Sequence, residues 1–322
     1  MQVNSKGICA FEEGNYTEMG TADRLVKYFG QLMKWCKDTN NWYKYDEKTC
    51  LWNRADITEI LDFCRRLVVM VRNDSINITD KDKQARVMDY IYDLQKLSFA
   101  KASIEFAKSR VACSQTDFDA DQRLLGLPDG KVYDAVDGII LAGSAKYMIT
   151  KSLRGTPKEQ VSPEFTNYIE TFLPDKDIRE YFQMFIGSAF IGHTLRNASD
   201  KKGLMMDSAG GTGKSTFLSA LENALGEYYK TTKIGIITDR ESDGNKPDSL
   251  LAELVGCRIA GISEVPADSV FSTDKYKRLL GNDTAVARFP YAKTPVRYKP
   301  DFRLMVVGNC LPKPDDGDDK AF

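Results

Sequence analysis

An α/β carboxy-terminal domain with a central, mostly parallel sheet, preceded by a helical domain with β-hairpin elements, is the fold this sequence predicts. Three observations carry that reading. A glycine-rich decapeptide, SAGGTGKSTF at 208–217, sits between a short apolar segment and an amphipathic one. Two later apolar runs, CRIAGISE (257–264) and DFRLMVVGNCLP (301–312), read as strands that end on polar residues. Upstream, residues 57–110 repeat apolar side chains at helical spacing.

The elements follow in chain order. NWYKYDEKTCLWNRAD (41–56) alternates aromatic and polar residues around Asp46-Glu47-Lys48 and reads as a β-hairpin. Trp42 and Trp52 are expected to pack on one another or on a neighbouring helix. ITEILDFCRRLVVMV and VMDYIYDLQKLSFAKASIEFAK are helical, with SINITDKDK as the break between them. LPDGKVYDAVDGIIL places two Asp-Gly turns, Asp129-Gly130 and Asp137-Gly138, between short β-rich runs. Helices resume at SPEFTNYIETFLP, where Ser162 caps and Pro163 opens, and at DKDIREYFQMFIG, capped by Asp175. The domains expected are therefore 1–115, helical with the hairpin near 41–56; 116–160, a small β unit; 161–200, a helical collar or linker; and 201–322, the domain of the glycine-rich loop.

Composition narrows the classes. With 322 residues, 42% apolar and 28% charged, the chain has room for two or three domains and an ordinary globular balance. No run approaches the roughly 20 apolar residues of a membrane span, and the first residues lack a secretory signal, so the expectation is a cytoplasmic protein with no membrane partner. Seven cysteines form no CxxC pair, which argues against a disulfide framework and a zinc site and for reduced thiols. The only histidine, His193, lies in the apolar run FIGSAFIGH and reads as a packed or capping residue. Basic and acidic residues number 45 and 46, so any nucleic-acid footprint has to be local.

The decapeptide carries the most specific chemistry. GLMMD before it is a strand candidate, and in STFLSALENALGEYY the apolar residues Phe217, Leu221 and Leu225 share one helical face. Small residues at Gly210, Gly211, Thr212 and Gly213 let successive N–H groups turn inward, and the helix N-terminus adds positive potential. Lys214 then reaches the β- and γ-phosphates of a nucleoside triphosphate, Ser215 ligates Mg²⁺, and Thr216 completes the cradle. Ser208 stands where the usual loop begins with glycine; as the smallest alternative, it leaves the loop workable. Glu264, at the end of its strand, is placed to activate water beside Mg²⁺, although Ser263 occupies the position where a stronger match has a second acid. Asn309, at the end of the next strand, can sense the γ-phosphate or orient the attacking water; an asparagine in a turn is the plain alternative. Between them, Arg288, Lys293, Arg297 and Lys299 alternate with apolar residues around a turn at Ala292–Pro295. This basic hairpin is the best local patch for a nucleic-acid backbone, against the alternative of solvated surface charge.

Taken together, these residues resemble the superfamily III helicases of phages, plasmids and large DNA viruses, in the primase-helicase branch that includes the poxvirus enzyme. The resemblance is collinear over GGTGKST, GISEVP, YKRLLGNDTAVAR and VVGNCLPKPDDGDDKAF, and extends upstream to NWYKYDEKTCLW and FDADQRLLGLPDGKVYDAVDG. It implies an AAA+ (ASCE P-loop) domain and an ATP-dependent replicative DNA helicase. The working form would be a homo-oligomeric ring, usually a hexamer, with ATP and Mg²⁺ at subunit interfaces and single-stranded DNA in the channel. It also implies a primase or polymerase partner, and a bacterial host cytoplasm or viral replication site as the location. The family's arginine pair after DDAF-like residues, which supplies a finger to the neighbouring ATP, has no counterpart before Phe322. The resemblance therefore implies either a chain truncated before the finger or a finger that comes from elsewhere, with impaired hydrolysis by the chain as given. Two other classes use a similar loop: a nucleotide-binding ring or scaffold with little hydrolysis, and a small-molecule P-loop kinase. The kinase would need an arginine-rich lid, for which TTKIGIITDRESDGNKPDS offers only Arg240.

Overall fold

The computed structural model describes residues 15–158, 160–192, 202–208, 210–238, 249–281, 283–288 and 295–315. These divide into two compact units, one comprising the described residues up to 46 with 52–114, the other residues 47–51 with those from 115 onward.

The first unit contains α1 (Glu18–Phe29), β1 (Met33–Cys36), β2 (Asn41–Asp46), β3 (Leu51–Ala55), α2 (Ile57–Ser75), α3 (Lys81–Leu94), α4 (Leu97–Ala107) and β4 (Ala112–Cys113). The sheet runs in the order β3-β2-β1-β4. Helix α2 starts where Asp56 accepts from the N–H groups of Thr58 and Glu59 while the Glu59 side chain returns to the Asp56 N–H, a reciprocal capping box. Asp80 caps α3 by accepting from the N–H groups of Asp82 and Lys83, and the expected break falls at 76–80. A second interruption, at Gln95-Lys96, separates α3 from α4. The helical stripe Ile60, Phe63, Cys64, Leu67 and Val71 is buried, and it packs with Leu25, Phe29, Met33, Trp42, Tyr90 and Ile104 in one core.

The two hairpin tryptophans find different partners. Trp42 lies opposite Trp35 across the β1–β2 ladder, with ring centroids 5.2 Å apart, and joins the helical core. Trp52 instead packs on Tyr45, at 5.5 Å. Side chains alternate faces along a strand, so positions 42 and 45 of β2 point oppositely, and each tryptophan is satisfied on its own face. Among the described residues all six cysteines are free thiols, and Cys36 stands in register with Cys113 on the neighbouring strand. His193 and Cys9 lie outside the described residues.

The second unit begins with an antiparallel meander, β5 (Leu124–Gly126), β6 (Lys131–Asp134) and β7 (Ile139–Ala142), followed by α5 (Pro163–Phe172) and α6 (Lys176–Phe190). Both Asp-Gly turns are present, with positive φ at Gly130 and Gly138. Ser162 caps α5 ahead of Pro163, and Asp175 caps α6. Next come β8 (Leu204–Asp207), α7 (Lys214–Leu225), β9 (Tyr229–Thr231), α8 (Ser249–Glu253), β10 (Ile259–Ile262), β11 (Val270–Phe271), α9 (Thr273–Leu280), β12 (Ala285–Ala287), β13 (Val296–Tyr298), β14 (Arg303–Gly308) and β15 (Lys313–Pro314).

Strands β8, β14, β10 and β9 form one sheet in that order, and every pairing is parallel. Its two faces are buried by alternate residues. Ile259, Met305 and Val307 enter the cluster that holds Phe182, Phe217 and Tyr229, whereas Ala260, Ile262, Leu304 and Val306 face Phe271, Tyr276 and Leu280. Burial on both faces explains why these strands read as continuous apolar runs.

The helical core of the first unit makes a direct test. Phe63 is 1% exposed and stacks on Phe29 at 5.1 Å. Phe63→Ala is expected to cost about 3–5 kcal/mol in urea denaturation, whereas Met88→Ala on the exposed side of α3 should stay within about 0.5 kcal/mol. Equal effects at the two positions would contradict this packing.

Candidate functional site

The parallel register determines what meets at the carboxyl end of the sheet. Asp207 of β8 pairs with Gly308 of β14, so the glycine-rich loop and Asn309 leave their strands side by side. Gly210, Gly211, Thr212, Gly213, Lys214, Ser215, Thr216 and Asn309 line a concave site of about 370 Å³. Ser215 and Thr216 are exposed in the first turn of α7. Gly213 immediately precedes that helix with φ 95°, a conformation in which a side chain is strained. Its carbonyl accepts the first helical hydrogen bond, from the Phe217 N–H at 3.0 Å.

The serine at the head of the loop is built into it. The Lys214 ammonium donates to the Ser208 carbonyl at 2.5 Å and to its hydroxyl at 2.7 Å. The same hydroxyl lies 2.6 Å from the Thr212 hydroxyl. A glycine could supply only the carbonyl, so Ser208 adds a side-chain tie across the loop. A helix N-terminus beside an ammonium and the exposed hydroxyls of Ser215 and Thr216 is a donor-rich site of the kind that suits phosphate oxygens.

Glu264 lies two residues beyond β10, exposed, and outside the lining of that concave site. Its neighbour Val265 is held beside β14's end: the Cys310 thiol donates to the Val265 carbonyl at 3.4 Å, and a Cβ on Gly308 would meet Val265 at 3.3 Å. The segment carrying Glu264 is thereby fixed next to Asn309. Ser263 is exposed beside it.

The basic hairpin is a separate feature of the same unit. β12 and β13 pair antiparallel, with Val286 opposite Arg297 and Ala287 opposite Val296. Arg288, Arg297 and Lys299 are exposed, whereas Ala287, Val296 and Tyr298 are buried, and the Tyr298 hydroxyl donates to the Leu251 carbonyl at 2.7 Å. Lys293 and the expected turn up to Thr294 lie outside the described residues, as does Arg240.

Sequence reasoning missed the support beneath the loop. From α5, the Tyr168 hydroxyl donates to the Gly213 carbonyl at 3.0 Å, and a column of rings continues through Phe172 and Phe217. The four-residue spacing of Tyr168 and Phe172 within FTNYIETF was the available signal. The acid that caps α9 was missed too: Asp315 accepts from the Thr273 N–H at 3.2 Å and from its hydroxyl at 2.7 Å.

Comparison with known proteins matches two families in tandem. The family described as "D5 N terminal like" matches residues 22–177, and a family of unknown function (DUF5906) matches residues 206–320. A protein of Acanthamoeba polyphaga mimivirus named "Putative helicase" is 26% identical over 211 residues, which are 64% of this chain and 21% of that protein. A "Putative helicase" of Frog virus 3 is 28% identical over 158 residues, 48% of this chain and 16% of that protein. The chain thus spans about a fifth of the length of these relatives. Among solved structures, the apo NrS-1 C-terminal region is similar in fold, with TM-score 0.51, 11% identity, 95% of this chain covered and 61% of that chain.

The positive φ at Gly213 yields the expectation for this site. Gly213→Ala should cost about 1–2 kcal/mol, because the added Cβ finds ordinary contacts with Phe172 and Tyr168 at 3.5 and 3.6 Å while the backbone resists. Urea denaturation reads this directly, and a neutral result would show that the loop relaxes to a different conformation.

Proposed function

We propose that this chain, which the D5 N-terminal-like family matches over residues 22–177 and which is similar to two viral putative helicases, is a superfamily III primase-helicase and the motor portion of an ATP-dependent replicative DNA helicase, translocating on single-stranded DNA as a homo-oligomeric ring, in the family's usual form a hexamer. The observation that carries this reading is the meeting of the glycine-rich loop with Asn309 at the ends of two paired parallel strands. The sheet order supports it further. β14 lies between β8, which leads into the loop, and β10, which leads to Glu264, the arrangement expected of an AAA+ (ASCE P-loop) core.

In this reading the N–H groups at the start of α7 bind the β- and γ-phosphate oxygens, and Lys214 exchanges its Ser208 contacts for a phosphate oxygen. Glu264 takes the proton of the attacking water, and the Asn309 side chain hydrogen-bonds the γ-phosphate as charge develops on it. The Ser215 hydroxyl in the cradle and the Glu264 carboxylate on the segment beside Asn309 are hard oxygen donors of the type that suits Mg²⁺. When bound there, the ion neutralises charge on the β- and γ-phosphate oxygens. Arg288, Lys293 and Arg297 hold DNA phosphates, and a hairpin that shifts with nucleotide state moves the strand. A primase or polymerase acts beside such a motor on the same template, in a viral replication site or the cytoplasm of a bacterial host.

Steady-state ATP hydrolysis with and without single-stranded DNA tests the assignment. Lys214→Ala should lower turnover at least about 100-fold, and Glu264→Gln should lower it by a similar factor while leaving nucleotide affinity within about threefold. Wild-type turnover in Lys214→Ala would refute the loop's role; phosphate transfer to a metabolite without DNA would replace the helicase reading with a kinase.

The hairpin has its own measurement. Arg297→Ala should weaken binding to oligonucleotides of any sequence and reduce the slope of log affinity against log salt by about 1, with nucleotide affinity unchanged. A slope identical to that of the wild type would move the DNA contact off this hairpin.

A further inference from the structure

Helix α5 lies within the stretch matched by the D5 N-terminal-like family, which extends to residue 177, yet it packs in the same compact unit as the glycine-rich loop. Its contact with the loop is specific. The Tyr168 hydroxyl donates to the Gly213 carbonyl at 3.0 Å, and that carbonyl also accepts from the Phe217 N–H at 3.0 Å. The oxygen is therefore held from two directions, by α7 itself and by α5. The peptide to which it belongs links Gly213, with its φ of 95°, to Lys214. Fixing the carbonyl fixes the plane of that peptide, and hence the direction of the Lys214 N–H on its opposite side.

Below the hydroxyl the rings are close-packed. Tyr168 and Phe172 stack with centroids 5.8 Å apart and an interplanar angle of 7°. Phe172 and Phe217 stack at 5.5 Å and 13°, and Phe182 of α6 meets Phe217 edge-on at 5.0 Å. Phe217 is 4% exposed and lies one turn into α7. The column thus supports the loop's last glycine and the first turn of its helix from one side. Burial raises the Tyr168 phenol above its ordinary range, and a phenol is a protonated donor at neutral pH even without that shift.

We propose that Tyr168 is a positioning residue for nucleotide binding, its hydroxyl holding the Gly213–Lys214 peptide with the N–H turned toward the phosphates. This rests on the nucleotide-binding reading of the loop. Tyr168 does not line the concave site, so it acts through the peptide and not on the ligand. Its ring belongs to the packing of the unit, whereas its hydroxyl belongs to the loop, and the two contributions separate by substitution.

Tyr168→Phe keeps the stack and removes the hydrogen bond; Phe172→Leu loosens the stack and keeps the bond. Titration of the full chain with a fluorescent ATP analogue, alongside thermal melting without nucleotide, reads both. Tyr168→Phe should weaken ATP and ADP about three- to tenfold, the worth of one hydrogen bond, with a melting temperature within about 1 °C of the wild type. In turnover, KM should rise with kcat within about twofold, because the lost contact serves ground state and transition state alike. Phe172→Leu should lower the melting temperature by several degrees and leave affinity within about twofold. Wild-type affinity in Tyr168→Phe overturns the proposal, and so does an affinity loss accompanied by an equal loss of stability in both variants. A wild-type chain that binds no nucleoside triphosphate overturns the loop reading and this proposal together, whereas binding in the wild type with no change in Tyr168→Phe overturns this proposal alone.

Discussion

The register of one strand pair, Asp207 against Gly308, organises the functional end of this protein. Parallel strands begin at one edge of a sheet and end at the other, so whatever follows each strand emerges on the same side. The loop after β8 and Asn309 after β14 become neighbours for that reason alone. β10 runs in register with β14, Ile262 opposite Val306, and its continuation keeps Val265 against Gly308 and Cys310. A slip of one residue in either ladder would carry each side chain to the opposite face and exchange the residues of two differently packed clusters, so close packing on both sheet faces protects the register. The geometry of the site is thus stabilised by apolar packing far from the site's polar groups.

Parallel pairing also requires long crossovers, because a tight turn cannot return the chain to the starting edge. Those crossovers hold the remaining chemistry. The return from β8 to β9 contains the loop and α7, and the return from β10 to β14 contains α9 and the basic hairpin. At the opposite edge the strands start with buried arginines. Arg258 is 1% exposed and donates to the Gln122 carbonyl at 2.9 Å; Arg303 is 2% exposed and donates to the Ser188 hydroxyl at 2.9 Å and the Lys202 carbonyl at 3.2 Å. A buried guanidinium needs such partners. They join the segment before β5 and helix α6 to the sheet, so the β meander, α5 and α6 pack with the loop-bearing sheet in one unit.

What could be read from the sequence follows from the range of each interaction. Capping is local, and Ser162 and Asp175 announced the helices they start. The strand–loop–helix order around Gly210–Thr216 was equally visible, as were the apolar strands ending near Glu264 and Asn309, because periodicity and glycine placement are properties of short windows. Contacts between distant segments were not. The separate partners of Trp42 and Trp52 depend on strand pairing with Trp35 and on the alternation within β2. Helix α1 and strands β1 and β4 join elements far apart in the chain, and Tyr168 reaches Gly213 across 45 residues. Ser208 read as a tolerated departure from glycine, since its ties to Thr212 and Lys214 exist only once the loop has closed.

The proposed function requires the nucleotide end to bias the DNA end, and a ligand shifts a two-state element only by contacting its states differently. The segments that leave β10 and β14 meet again beyond the loop, where β11 pairs with β15 and Asp315 caps α9 through Thr273. Helix α9 then leads into β12 and β13, whose Arg288 and Arg297 face solvent while Tyr298 is tied to α8. A change at Asn309 therefore has a short route, along the chain through β15 to Asp315 and then through the Asp315 hydrogen bonds with Thr273, to the first turn of α9 and on to the hairpin. Contiguity alone supplies no coupling energy. In the proposed function, the energy comes from a γ-phosphate that Asn309 can hydrogen-bond in one nucleotide state and not in the other, and the α9 cap is the point at which that difference reaches the hairpin.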